Sequence, residues 1–257
     1  MGNIVAILKK ELKAYFVSPV AYVVLAVFYF VVGFFFYQVL AFYMSQMPQM
    51  MQSGQAGEID MNAMVMRNLF SFLSTLMLFF LPMITMPLLS EEKKRGTFEL
   101  LLTSPLTRWQ IVLGKFFSAL AFFAIMLLPT FIYSVILYFA SDPHPALKPI
   151  AVGYLGLFLL GGAVLALGLF LSSLTENQIV SAVLTFGLVL MLWVLQIAVD
   201  RAEGATADIL QYLSILSHFE DFAKGVLDTK SLVFLGSLIA TGLALTASSI
   251  ESLRWRE

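Results

Sequence analysis

The stretch VSPVAYVVLAVFYFVVGFFFYQVLAFYM, residues 17–44, runs for 28 residues without an Asp, Glu, Lys, Arg or His. About 20 helical residues cross a hydrocarbon core of roughly 30 Å, and in lipid only a helix satisfies its own backbone within one segment. Five further stretches share this property: Leu69–Ser90, Phe116–Ser141, Pro149–Thr175, Asn177–Val199 and Ser231–Ile250. The fold class is therefore all-α, a polytopic membrane protein with six transmembrane helices. The spans fall at about 18–43, 69–90, 113–140, 150–173, 178–199 and 231–250 of one transmembrane domain covering residues 1–257. The fourth and fifth are parted only by Glu176 and its polar neighbours, which make a tight turn. Composition agrees, with 60% hydrophobic and 12% charged residues against the roughly 25% charged of a soluble domain. A net charge of -1 supplies no basic field for nucleic acid. The absence of cysteine excludes disulfides, thiolate metal sites and a cysteine nucleophile.

Basic residues orient the spans. With the N-terminus inside, Lys9, Lys10, Lys13, Lys93, Lys94, Arg95, Arg108, Lys115, Arg254 and Arg256 are cytoplasmic, and Arg67, Lys148, Arg201, Lys224 and Lys230 are outside. That asymmetry is what the positive-inside rule asks of a chain in the inner (plasma) membrane with both termini cytoplasmic. The first span is far longer than a signal-peptide core of 7 to 15 residues, so it is read as retained. Residues 3–16 place Ile4, Ile7, Leu8, Leu12 and Tyr15 at helical spacing, with Lys9, Lys10 and Lys13 off that stripe. This predicts an amphipathic helix in the membrane interface, broken at Ser18-Pro19 where the first span begins.

Two segments on the outer side invite a metal reading. Residues 45–68 hold Met47, Met50, Met51, Met61, Met64 and Met66, and thioethers bind Cu(I). No Cys or His stands among them, so they read as an adaptable apolar surface. The connection 200–230 carries Ile209, Leu210, Leu213, Leu216, Phe219, Phe222 and Val226 at three-to-four spacing, which predicts short helices. There His218, Glu220 and Asp221 read as solvated residues of an amphipathic helix rather than metal ligands.

The loop after the second span is the informative one: SEEKKRGTFELLLTSPLTRWQIVLGK, residues 90–115. Thr97 can cap a short helix at about 97–104 with Glu99 in its first turn, and Ser104-Pro105 ends it. Thr107 and Gln110 have the spacing of a capping box for the third span. The short helix would show an apolar face of Phe98, Leu101 and Leu102 to a soluble partner. Taken alone, the same residues also read as a basic loop that only fixes topology.

This run of acidic and basic residues, Gly-Thr, Glu-Leu-Leu-Leu, Ser-Pro and Leu-Gly-Lys resembles the signature of ABC-2 type transporter permeases. The six spans and the N-terminal helix extend the resemblance over nearly the whole chain. It implies that the loop is a coupling helix, with Gly96, Thr97, Phe98, Glu99, Leu101 and Pro105 contacting ATP-binding cassette ATPase subunits, and that a second permease, self or sibling, completes the complex. The opening residues Leu8 to Pro19 and the run from His218 to Gly225 resemble the gliding-motility-associated permeases of the GldF type.

The chain's own chemistry is sparse. The sole Gly-Lys pair, Gly114-Lys115, has Trp109 and Phe116 where a P-loop needs Gly and Ser or Thr, so ATP hydrolysis is expected on another subunit. No ionisable residue lies within the six runs, which argues against intramembrane catalysis and carboxylate-driven ion coupling. Glu91-Glu92-Lys93-Lys94-Arg95 approaches the EExxxR pattern of a membrane protease family, but its Arg comes one residue early. Pro82, Pro87 and Gly161-Gly162 read as helix-packing features, and Gln38, Thr130, Ser134 and Gln196 as interhelical hydrogen-bonding groups. No cofactor is called for. The function expected is a permease subunit coupling ATP hydrolysis elsewhere to export or mechanical work; the alternative is a non-transporting anchor or motor component of a gliding or secretion machinery. A reporter fused after Glu257 is expected in the cytoplasm and one inserted at Gly54 outside; an external C-terminal reporter would overturn the even span count.

Overall fold

The computed structural model describes residues 2–52, 60–99, 105–142, 144–199, 204 and 210–254. All the regular structure among them is helical: α1 (Gly2–Val17), α2 (Pro19–Gln52), α3 (Met61–Thr85), α4 (Pro87–Lys94), α5 (Arg108–Leu127), α6 (Phe131–Ala140), α7 (Leu147–Leu174), α8 (Gln178–Val199), α9 (Ile215–Ala223) and α10 (Thr229–Arg254). Six stretches are long and apolar enough to cross a membrane: Pro19–Gln46, Met61–Lys94, Arg108–Ala140, Leu147–Leu174, Gln178–Gln196 and Thr229–Ser252. The second combines α3 with α4, and the third α5 with α6. The methionine-rich segment is less of a loop than its composition suggests, because α2 continues to Gln52 and α3 starts at Met61.

Prolines interrupt two spans, and neighbouring side chains meet the backbone groups they release. Pro129 sits in a 3-10 turn, Leu128–Thr130, inside a span expected to be continuous. Proline has no N–H and crowds the carbonyl four residues back. That carbonyl, on Ile125, accepts instead from the hydroxyl of Tyr29 in the first span at 3.1 Å. Between α3 and α4 the chain breaks ahead of Pro87, and the Ser172 hydroxyl of α7 accepts from the Leu89 and Ser90 amides at 3.1 Å each and donates to the Met86 carbonyl at 3.1 Å. The start of α4 is thus capped by another helix.

The fourth span, α7, is the centre of the bundle and packs against α3, α4, α5, α8, α9 and α10. Of its most apolar stretch 72% is buried, against 17% for the fifth span, although the two are almost equally hydrophobic. Small residues let neighbours approach. At Gly168 an added Cβ would lie 2.4 Å from Thr85 Oγ1, so α3 could not seat its break there against any larger side chain. Three of the four polar residues singled out within the spans pair across helices. Thr130 donates to the Tyr154 hydroxyl at 3.3 Å, Ser134 to the Met66 sulfur at 3.8 Å, and Gln196 accepts from Ser214 at 3.1 Å; Gln38 is exposed.

Gly168→Ala is therefore expected to lower stability by about 1–3 kcal/mol, the usual cost of overpacking. Gly187→Ala, where a Cβ meets nothing within 4 Å, should be neutral. Thermal unfolding of both variants in detergent checks the contrast; equal stabilities would exclude the close α3–α7 approach.

Candidate functional site

At the bundle end that holds both helix termini, the second span finishes in α4 and hands over to the 95–107 segment. The sequence reason for the stop is Gly96, whose φ of 67° lies in the left-handed region that favours glycine. The Gly96 amide donates to the Lys93 carbonyl at 3.1 Å and the Thr97 amide to the Glu92 carbonyl at 3.0 Å, the two bonds of a Schellman cap. Gly-Thr thus closes the preceding helix. Thr97, expected to start the next helix, also ends this one, and its hydroxyl donates to Glu92 O at 3.3 Å. Phe98 and Glu99 are helical, whereas Leu101 and most of the expected 97–104 helix lie outside the described residues. After Pro105, the capping box at Thr107 and Gln110 starts α5 at Arg108, five residues earlier than hydropathy places the span, because Arg108, Trp109 and Gln110 are helical without being apolar.

The site residues separate by exposure. Gly96, Thr97, Glu99 and Pro105 are exposed. Phe98, expected on the outward apolar face, is instead 6% exposed and joins the buried core, with Lys93 Nζ 5.5 Å from its ring centre. An aromatic ring flanked by buried neighbours gains more from burial in its own chain than from solvent exposure. Phe98 is accordingly the anchor of the segment, and the exposed residues form its outer face.

Beneath the segment lies a feature that sequence reasoning missed. Lys115, counted as a loop cation, is 1% exposed. Its Nζ is 3.2 Å from Glu11 Oε1 of α1 and 2.9 Å from Glu92 Oε2 of α4; Lys10 reaches the same two carboxylates at 3.7 and 3.6 Å. The Glu92 oxygen makes no directed hydrogen bond, so that contact is ionic. The signal was present in two places. Glu11 falls on the same helical face as Ile7, Leu8, Leu12 and Tyr15, all half-buried while Lys9, Lys10 and Lys13 are exposed. Leu113-Gly114-Lys115 supplies the other half, since a Cβ on Gly114 would come 2.7 Å from Ile7 Cγ2. Glycine lets α1 lie directly on α5, and the next residue fixes it there electrostatically.

Further bonds tie this end together. Asn3 donates to Gln110 Oε1 at 3.3 Å, Arg108 pairs with Glu251 of α10, and Lys93 donates to the Ser173 carbonyl of α7. The Tyr15 hydroxyl donates to Ile84 O at 2.9 Å. Burial, then the charges of Glu11 and Glu91, push its pKa upward, so it remains a donor.

At the opposite end, His218 corrects the solvated reading. It is 9% exposed on the inner face of α9, beside buried Phe219 and Phe222. Its Nε2 donates to the Tyr212 carbonyl at 3.0 Å and its Nδ1 lies 3.0 Å from the Ser231 hydroxyl, while its ring stacks on Phe234 at 4.1 Å. Both nitrogens are engaged, Nδ1 joining α9 to α10 and Nε2 joining it to the turn before α9. Among the described residues, no three His, Cys, Asp or Glu side chains are grouped to hold a metal ion.

Residues 5–250 match the family described as "ABC-2 family transporter protein". The chain belongs to this family. Over 166 residues it is 28% identical to the probable multidrug ABC transporter permease YbhR of Escherichia coli K12, and equally to that of Escherichia coli O157:H7, an alignment covering 62% of this chain and 43% of the relative. The chain thus matches less than half the length of those relatives. As an ABC-2 family protein with six apolar helices long enough to span, it is a multi-pass membrane protein.

Removing one partner of a buried ion pair usually costs about 3–5 kcal/mol because it strands the other charge. Lys115→Met leaves Glu11 and Glu92 facing each other and should release α1, read as faster amide exchange over residues 2–17. Exchange unchanged from wild type would show that the ion cluster does not hold α1. Adding Glu11→Gln to Lys115→Met should restore part of the protection.

Proposed function

We propose that this chain is the membrane-spanning permease subunit of an ABC-2 type ATP-binding cassette transporter and works with separate ATPase subunits and a second permease. The observation that carries the reading is the exposure of Gly96, Thr97, Glu99 and Pro105 around buried Phe98, backed by the Lys115 cluster, in a chain of this family. A loop that merely fixed topology would need its positive charges but neither a Schellman cap nor a buried aromatic. Gly96, Thr97, Glu99 and Pro105 form the contact surface for the ATPase, Leu101 extends it, and Phe98 keeps it rigid. The terminus-bearing face is cytoplasmic and the membrane is the inner, plasma membrane. ATP binding on the partner would displace the segment; Lys115, Glu11 and Glu92 would carry α1 with it, and the displaced second and third spans would reorient a pathway by rigid-body motion. ATP chemistry belongs to the partner, since Gly114-Lys115 serves helix packing rather than phosphate binding.

Cargo stays at the level of export or mechanical work. The YbhR relatives are named as probable multidrug permeases, and the motifs shared with gliding-motility-associated permeases support work in a motility complex, where the chain would be an anchor.

Glu99→Lys reverses the charge of an exposed residue of the segment and leaves the Phe98, Glu11, Glu92 and Lys115 side chains as they are. Co-expressed with a candidate ATP-binding cassette ATPase that the wild-type chain retains, the variant should insert normally yet retain the ATPase about tenfold less well, as loss of a charged contact does. Full retention and full stimulation of hydrolysis would remove the coupling role. Absence of any co-purifying ATPase from the wild-type chain would favour the anchor.

A further inference from the structure

Two adjoining cavities lie where α1 gives way to the first span. One, of about 250 Å³, is walled by apolar side chains including Ala21, Val24, Ile84 and Phe122; its only charged lining residues are Glu11 and Glu91. The other, of about 510 Å³, shares Glu11, Ala14, Pro87 and Glu91 with the first and adds Lys10, Arg95, Lys115 and Glu92 on the side of the 95–107 segment. Passing from the first to the second, the surroundings change from apolar walls with two carboxylates to a mixed shell of three carboxylates and three cations, of which Lys10 and Arg95 are the exposed cations.

We infer that this pair of cavities binds a phospholipid with an ethanolamine headgroup, its acyl chain in the apolar cavity, its ammonium at Glu11 and Glu91, and its phosphate at Lys10 and Arg95. The location matches such a ligand, because Ser18-Pro19 marks where an interfacial helix turns into a span, the level at which headgroups lie. The charges have capacity for it. Arg95 pairs with Glu91 within one helix turn, with Arg95 side-chain exposure of 70%, and exposed pairs of that kind are weak and exchangeable. Lys10, 67% exposed, holds its two carboxylates only at 3.6 and 3.7 Å. Tyr15 does not compete, since its hydroxyl is committed to Ile84 O. An anionic glycerol headgroup offers no ammonium and would set its phosphate against two carboxylates. The site adjoins Thr97 and Leu106, so occupancy would stiffen the base of the coupling segment. It stands independently of the transporter reading, because lipid binding would persist if no ATPase bound.

The test is native mass spectrometry of the full chain in neutral maltoside detergent, with equimolar phosphatidylethanolamine and phosphatidylglycerol of the same acyl chains. The wild type should retain one phosphatidylethanolamine with about tenfold preference, the size expected of a charge-assisted hydrogen bond. Glu91→Gln should abolish most of that preference, and Ala21→Trp, which fills the apolar cavity, should remove lipid of either kind. Should Ala21→Trp fail to fold, Glu91→Gln carries the test alone. Equal retention of the two lipids by the wild type, or an undiminished preference in Glu91→Gln, would overturn the proposal.

Discussion

An ammonium group moved out of water loses several kcal/mol of solvation unless carboxylates replace that water. Lys115 meets this constraint with Glu11 from the N-terminal helix and Glu92 from the end of the second span. Three elements distant in sequence must therefore arrive together, or a charge is stranded at the membrane edge. The packing agrees: Ile7 of α1 rests on Gly114 of α5, one residue before the lysine. The N-terminal helix is thereby part of the body that carries the 95–107 segment, rather than a float beside it.

The second constraint is backbone satisfaction inside lipid. Every proline that breaks a span releases polar groups that no water can reach. Here the partners come from other helices: Tyr29 for the carbonyl freed by Pro129, and Ser172 for the start of α4 at Pro87. Such breaks are points where a span can bend while neighbours hold its polar groups, as a rigid-body transmission requires. They lie on the second and third spans, the two that the 95–107 segment joins.

In its described part, the 95–107 segment buries Phe98 and exposes Gly96, Thr97, Glu99 and Pro105. Its rigidity comes from Phe98 below and the Gly96 cap before it. Burial of Phe98 leaves the exposed side of these described residues small and largely polar.

The sequence by itself determined the six spans, the amphipathic first helix, the break at Ser18-Pro19 and the capping box at Thr107 and Gln110. Each is a local property: a run without charges, a 3.6-residue period, a proline, a four-residue spacing. It also carried the family through the 90–115 run. Only the tertiary structure decided that α7 is central and α8 peripheral, since lipid and a helix neighbour are equally apolar and hydropathy cannot tell them apart. The inward turn of Phe98, the burial of His218 and the meeting of Glu11, Glu92 and Lys115 were likewise decided there. Glu11 and Lys115 stand 104 residues apart, and no periodicity within either helix records a partner at that distance. A charged residue on an apolar stripe and a Gly-Lys pair mark that such partners are needed, but which charges meet is settled by how the helices pack.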